Sequence, residues 1–173
     1  VSVAGVTVRE ALDAAVAAGR YLEWPSPDPA RALATISPYA ECEEFADAQP
    51  GQTPRVRTIV CAVVGDCHQS LGKVEAAAGW YLRARRYTQA GGGPPFFAPF
   101  YAQMVVDHRL ASHYLTALEC LHDHYAVWRG QPLLTRLYWH VVSLWWVRPF
   151  QWRMWLRERR LLPQLEALAR DGR

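Results

Sequence analysis

The residues best suited to chemistry cluster around Asp66-Cys67-His68, with further histidines at His108, His113, His122, His124 and His140. Cysteine and imidazole ligands invite a metal hypothesis, but the spacing does not follow through. There is no Cys-x-x-Cys pair, no His-Glu-x-x-His and no carboxylate framework built from two Glu-x-x-His runs, Glu119-Cys120-Leu121-His122 standing alone. On a helix His122 and His124 point in nearly opposite directions, so they cannot share an ion. Nucleophilic catalysis fares no better. Ser70, Ser112 and Ser143 fall in helical patterns, no Gly-x-Ser-x-Gly elbow surrounds them, and Cys67 beside His68 in one helix gives diverging side chains rather than a reacting pair. Gly91-Gly92-Gly93 lacks the Lys-Ser or Lys-Thr of a phosphate loop and reads as an inter-helix hinge. The expectation is a chain with no catalytic residues, no metal and no cofactor.

The elements that carry these residues read as helices throughout. Thr7 caps a segment from Val8 to Leu22, with Val8, Leu12, Ala15, Val16 and Gly19 sharing its apolar face. Trp24 to Pro29 ends it, and Asp28-Pro29 starts a short helix to Ser37. Pro38 is expected to open another, Tyr39 to Ala48. Gln49 to Pro54 is a linker, followed by a helix from Val56 to Leu71, a turn at Gly72, and a helix from Val74 to Gln89. After a second boundary at Ala90–Pro95, Pro99 to Leu110 and Ser112 to Gly130 give another pair. The final third reads as Leu133 to Val147, Pro149 to Leu161 and Pro163 to Arg170, with Pro149 and Pro163 each opening a helix. The chain is expected to form one domain, 1–173, made of divergent N-terminal helices (1–49), two hairpins (54–130) and C-terminal helices (133–171).

Composition supports a folded chain. Of 173 residues 51% are hydrophobic, with eight Trp and eight Tyr, far above what disorder tolerates. The net charge of +3 makes no general case for a polyanion partner, but it is unevenly spread. Up to Ala77 six basic residues face ten acidic ones; beyond it thirteen face six. The longest apolar block, Leu133 to Val147, is broken by Arg136 and His140 and is shorter than the roughly 20 residues that span a bilayer. No secretory pattern is visible, and a start at Val1 rather than Met reads as a trimmed or excised piece. Four cysteines read as free buried thiols of a cytoplasmic protein; Cys61 and Cys67, about 9 Å apart along one helix, cannot pair.

The spacing of Val64, Gly65, His68, Gly72, Ala77, Tyr81 and Ala84 resembles a tetratricopeptide repeat, with Cys61 where that family has Trp and His68 where it has Tyr. The resemblance covers about one repeat. A second, weaker echo lies 40 residues on, setting Tyr101 over Cys61, Met104 over Val64, Val105 over Gly65, His108 over His68, Ala117 over Ala77, Leu121 over Tyr81 and His124 over Ala84. The resemblance implies an all-α stack of antiparallel helix hairpins closed by a C-terminal helical cap. It also implies a protein- or peptide-binding scaffold using the concave face, which the first helix of each pair builds. The candidates there are Ile59, Ala62, Asp66 and Gln69, then Ala102, Val106 and Arg109. Ala62 and Ala102 stand where family members that clamp an acidic C-terminus carry Asn, so a more apolar or extended ligand is expected.

A second reading comes from the tail. Arg148, Trp152, Arg153, Arg157 and Arg160 interleave cations with large rings, a surface suited to nucleic acid or a membrane interface. In that reading the chain is a regulatory segment of a larger bacterial signalling or transcription protein; the simpler one is a terminal helix that caps the stack. Self-association as a homo-oligomer would follow if Trp145-Trp146 were exposed.

Overall fold

The computed structural model describes residues 5–23, 26–93, 95–132, 134 and 149–171, and for Trp128 and residues 149–159 the backbone only. Every regular element among them is helical, as expected. The chain divides into two compact units, Val1–Gly93 and Pro94–Arg173, and the division falls inside the glycine-rich boundary. Apart from Leu134, the Leu133 to Val147 segment, with Trp145-Trp146, lies outside the described residues.

The first unit holds four helices: α1 (Val8–Tyr21), α2 (Pro29–Ala40), α3 (Gln52–Ser70) and α4 (Val74–Tyr87). Helix α1 begins with a capping box. Thr7 Oγ1 accepts from the Glu10 amide at 3.2 Å, and the Glu10 carboxylate accepts from the Thr7 amide at 2.8 Å. Its buried face is Val8, Ala11, Ala14, Ala15 and Ala18, whereas Val16, expected in the core, is 57% exposed. An alanine face lets the α1 backbone come close to its neighbours α2 and α3. Close van der Waals packing over many atoms outweighs the larger hydrophobicity of one valine.

Helix α2 corrects the reading of Pro38. The helix runs through that proline to Ala40, and the stretch after it is not helical. Ala32, Ile36 and Ala40 form a buried row at i, i+4 and i+8, while Pro38 and Ala34, whose carbonyl loses its donor, are exposed. Water can therefore serve the group that a mid-helix proline orphans. The following acidic loop is tied down from both sides. Asp47 Oδ1 accepts from the Val8 amide at 2.7 Å, adding a second carboxylate to the positive end of α1. The Ala46 amide donates to the Val6 carbonyl at 2.8 Å, and Glu41 pairs with Arg83 of α4 at 3.0 Å.

Helix α3 packs on α1, α2 and α4, and its buried residues include Val56, Val60, Cys61, Ala62, Val64, Gly65 and Cys67. It ends as the glycine turn predicts. Gly72 adopts φ 72°, its amide donates to the Gln69 carbonyl at 2.9 Å, and the Lys73 amide donates to the His68 carbonyl at 2.9 Å. That is a Schellman close, which needs a left-handed residue at this point. Helix α4 then runs into a wide turn, Thr88–Gly92, with Gly91 at φ 102°.

The second unit contains α5 (Ala98–Asp107), a single turn at Ala111–His113, α6 (Tyr114–Gly130) and α7 (Pro149–Asp171). Helix α7 packs on α5 and α6. It is continuous through Pro163, where two helices were expected. As in α2, the buried row avoids the proline: Leu161, Leu165 and Ala169 are buried and Pro163 is exposed. Among the described residues no helix is long and apolar enough to cross a membrane.

Candidate functional site

The residues that looked chemical come together in the α3–α4 hairpin, around one buried tyrosine. Tyr81 is fully buried. Its ring lies against Gly65, where an added Cβ would stand 2.9 Å from Cε1. Only a residue without a side chain lets the two helices meet there. Ala77, Ala78 and Ala84 bury the rest of the α4 seam.

The phenol oxygen of Tyr81 reaches back to α3, 2.5 Å from Asp66 Oδ1 and 2.9 Å from Gln69 Oε1. Burial raises the Asp66 pKa to about 6, although the hydrogen bond from Tyr81 pulls the other way. Burial, the Asp66 charge and that hydrogen bond together push the Tyr81 pKa well above 10. Burial likewise drives the Cys67 thiol to about 12, with the Asp66 carboxylate adding to the effect. Such a thiol holds its proton at neutral pH and offers no thiolate nucleophile. His68 next to it is pushed down, first by burial and then by Lys73. It sits neutral with Nδ1 buried and without a hydrogen-bond partner.

The second hairpin buries the same aligned positions. Tyr101, Met104, Val105, Ala117 and Leu121 are all at 0% exposure, matching Cys61, Val64, Gly65, Ala77 and Tyr81. The large ring has changed sides: it comes from α4 in the first pair and from α5 in the second. Tyr101 accordingly finds its polar partner elsewhere, at His113 Nδ1, 2.7 Å away. His108 does not follow His68. Helix α5 closes earlier, His108 is its exposed C-cap, and the freed residues form the Ala111–His113 turn. That close is again a Schellman motif, with the Leu110 amide on the Val105 carbonyl at 3.0 Å and the Arg109 amide on the Val106 carbonyl at 3.2 Å. Arg109 takes the left-handed position at φ 52°, alone in doing so among the described non-glycine residues. His124, over Ala84, is half-buried with Nδ1 3.2 Å from the Pro95 carbonyl, and burial lowers its pKa.

The expected binding residues separate into surface and core. Ile59, Asp66 and Gln69 on α3 are partly exposed, as is Val106 on α5, and Arg109 is exposed. Ala62 and Ala102 are buried, at 1% and 0%. Two alanines expected on a groove are packing residues, because a methyl group at those positions is what lets the neighbouring helix approach. Of the basic-aromatic tail, Arg160 is exposed. Arg148 and the side chains of Trp152, Arg153 and Arg157 lie outside the described residues.

The four cysteines, Cys42, Cys61, Cys67 and Cys120, are buried and none of them is in a disulfide. Among the described residues no three His, Cys, Asp or Glu side chains gather as metal ligands would. What sequence reasoning missed is the contact between Asp66 and Tyr81. Asp66 at a helical position beside a glycine carries no local sign of a partner fifteen residues on. No protein-family model, curated protein or solved structure matches the chain.

Proposed function

We propose that this chain is a non-catalytic helical scaffold, similar in kind to a tetratricopeptide stack, that binds a protein or peptide segment on the outer face of α3. The observation that carries this reading is the position of α3. It packs on α1, α2 and α4 at once, the neighbour pattern of one helix pair laid on the next. It still leaves Ile59, Asp66 and Gln69 partly open at helical spacing on one side. Apolar Ile59 at one end and the amide of Gln69 at the other suit an extended segment that offers both an apolar side chain and backbone hydrogen-bonding groups. The high pKa of Cys67 and the lowered pKa of His68 support a binding role over a catalytic one.

Affinity capture from the native cell extract tests it, comparing the natural chain with an Ile59→Asp/Gln69→Ala variant of verified thermal stability. Loss of a specific captured partner in the variant supports the reading. An identical set of captured proteins overturns the assignment of the face.

A further inference from the structure

Tyr81 has one hydroxyl hydrogen and stands between two acceptors, Asp66 Oδ1 at 2.5 Å and Gln69 Oε1 at 2.9 Å. One hydrogen cannot satisfy both. Two arrangements of these three groups give each of the two bonds one donor and one acceptor. With Asp66 ionised, Tyr81 donates to the carboxylate, and the Gln69 amide turns over so that its Nε2–H donates to the Tyr81 oxygen. With Asp66 protonated, the acid O–H donates to the Tyr81 oxygen, and Tyr81 donates to Gln69 Oε1. The half-turn of the amide changes no shape, only which of its two ends faces inward.

We propose that Asp66, Tyr81 and Gln69 form a proton-operated relay in which protonation of a partly buried carboxyl group reverses the polarity of an amide at the protein surface. Gln69 is partly exposed. When Asp66 is ionised the outward end of the amide is a carbonyl, a hydrogen-bond acceptor. When Asp66 is protonated the outward end is an NH2, a donor. The proton moves between solvent and Asp66, and the chain of hydrogen bonds reverses direction without covalent change.

The surroundings leave the carboxyl free to titrate near neutrality. From α4 only the Tyr81 hydroxyl acts on it, and burial raises its pKa to about 6. On α3 its neighbours are the neutral Cys67 thiol and His68, and the nearby Lys73 acts on His68. Arg57 of α3 and Arg83 of α4 act on Cys61 instead. The described residues of α1, α2 and the Thr88–Gly92 turn, which also pack on α3, contribute no charge that acts on Asp66. If α3 receives a partner as proposed above, that partner meets an acceptor above the midpoint and a donor below it.

The relay can be tested on the ligand-free chain, so its failure is distinct from failure of the binding reading. In a pH titration of isotopically labelled protein by NMR, the Asp66 carboxyl carbon and the Gln69 side-chain NH2 resonances are expected to move together, with a shared midpoint near 6. Tyr81→Phe should abolish the Gln69 response, and Asp66→Asn should make the Gln69 resonances independent of pH. An Asp66 midpoint at the ordinary carboxylate value near 4 overturns the relay. So do Gln69 resonances that stay fixed through the Asp66 transition, or that still follow it in Tyr81→Phe. The wild-type titration decides the matter even where a variant fails to fold.

Discussion

The ring of Tyr81 occupies the space that a side chain at Gly65 would need, with Cε1 2.9 Å from where the Cβ would lie. Both residues sit in the packed seam of α3 and α4, so neither can yield cheaply.

Gly65→Ala is therefore expected to destabilise the first unit by about 1–3 kcal/mol, the usual cost of overpacking. Combining it with Tyr81→Leu should cost less than the two single changes added together, because the smaller side chain relieves the clash. Urea unfolding of the three variants measures this coupling.

Asp66 gives the stability a pH dependence of defined sign. The folded state holds its proton more tightly than the unfolded chain, with a pKa of about 6 against 3.8. This contribution is fully present below about pH 4 and is lost as pH rises through about 6, since the native state binds more protons in that interval. Asp66→Asn should remove the slope and raise stability at pH 7, by at most about 3 kcal/mol. Thermal unfolding of both proteins at a series of pH values checks it, and a steeper slope in the variant would contradict it.

Arg109 and Gly72 fill the same left-handed position at the ends of α5 and α3, at φ 52° and 72°. Because only glycine takes that conformation without steric cost, Arg109→Gly should stabilise the protein by about 0.5–1 kcal/mol. Gly72→Ala should destabilise it by a similar or larger amount. Denaturant midpoints compared at constant slope read both effects.

The Asp47 carboxylate on the Val8 amide holds the acidic loop to the start of α1. Asp47→Ala is expected to cost about 1 kcal/mol, as loss of a helix cap does. It should also speed hydrogen exchange at the Val8 and Ala46 amides. Unchanged exchange at Ala46 would show that the Asp47 contact does not hold the loop.

How much of this was legible in the sequence depends on whether the cause was local. Thr7 and Glu10, Asp28 with Pro29, and the Gly72 turn announce helix ends because their partners lie within four residues. Gly65, Ala77, Tyr81 and Ala84 announce a close seam by their sizes. Pro38 and Pro163 misled because a helix absorbs a proline more readily on its exposed side, and exposure is a tertiary property. The same holds for the alanine face of α1, where backbone approach decides over side-chain hydrophobicity. Ala62 and Ala102 mislead in the same way, and the Asp66–Tyr81 contact is set by hairpin register rather than by any neighbour in sequence.

The transfer of the large ring from α4 in one hairpin to α5 in the other bears on how the chain reaches its fold. Two helix hairpins in one polypeptide risk exchanging helices while they assemble. Pairing α3 with α6 would set Gly65 opposite Leu121 and leave a void where Tyr81 belongs. Pairing α5 with α4 would drive Val105 into the Tyr81 ring. Each helix thus fits its own neighbour by volume, and the mismatch discourages the wrong partnerships.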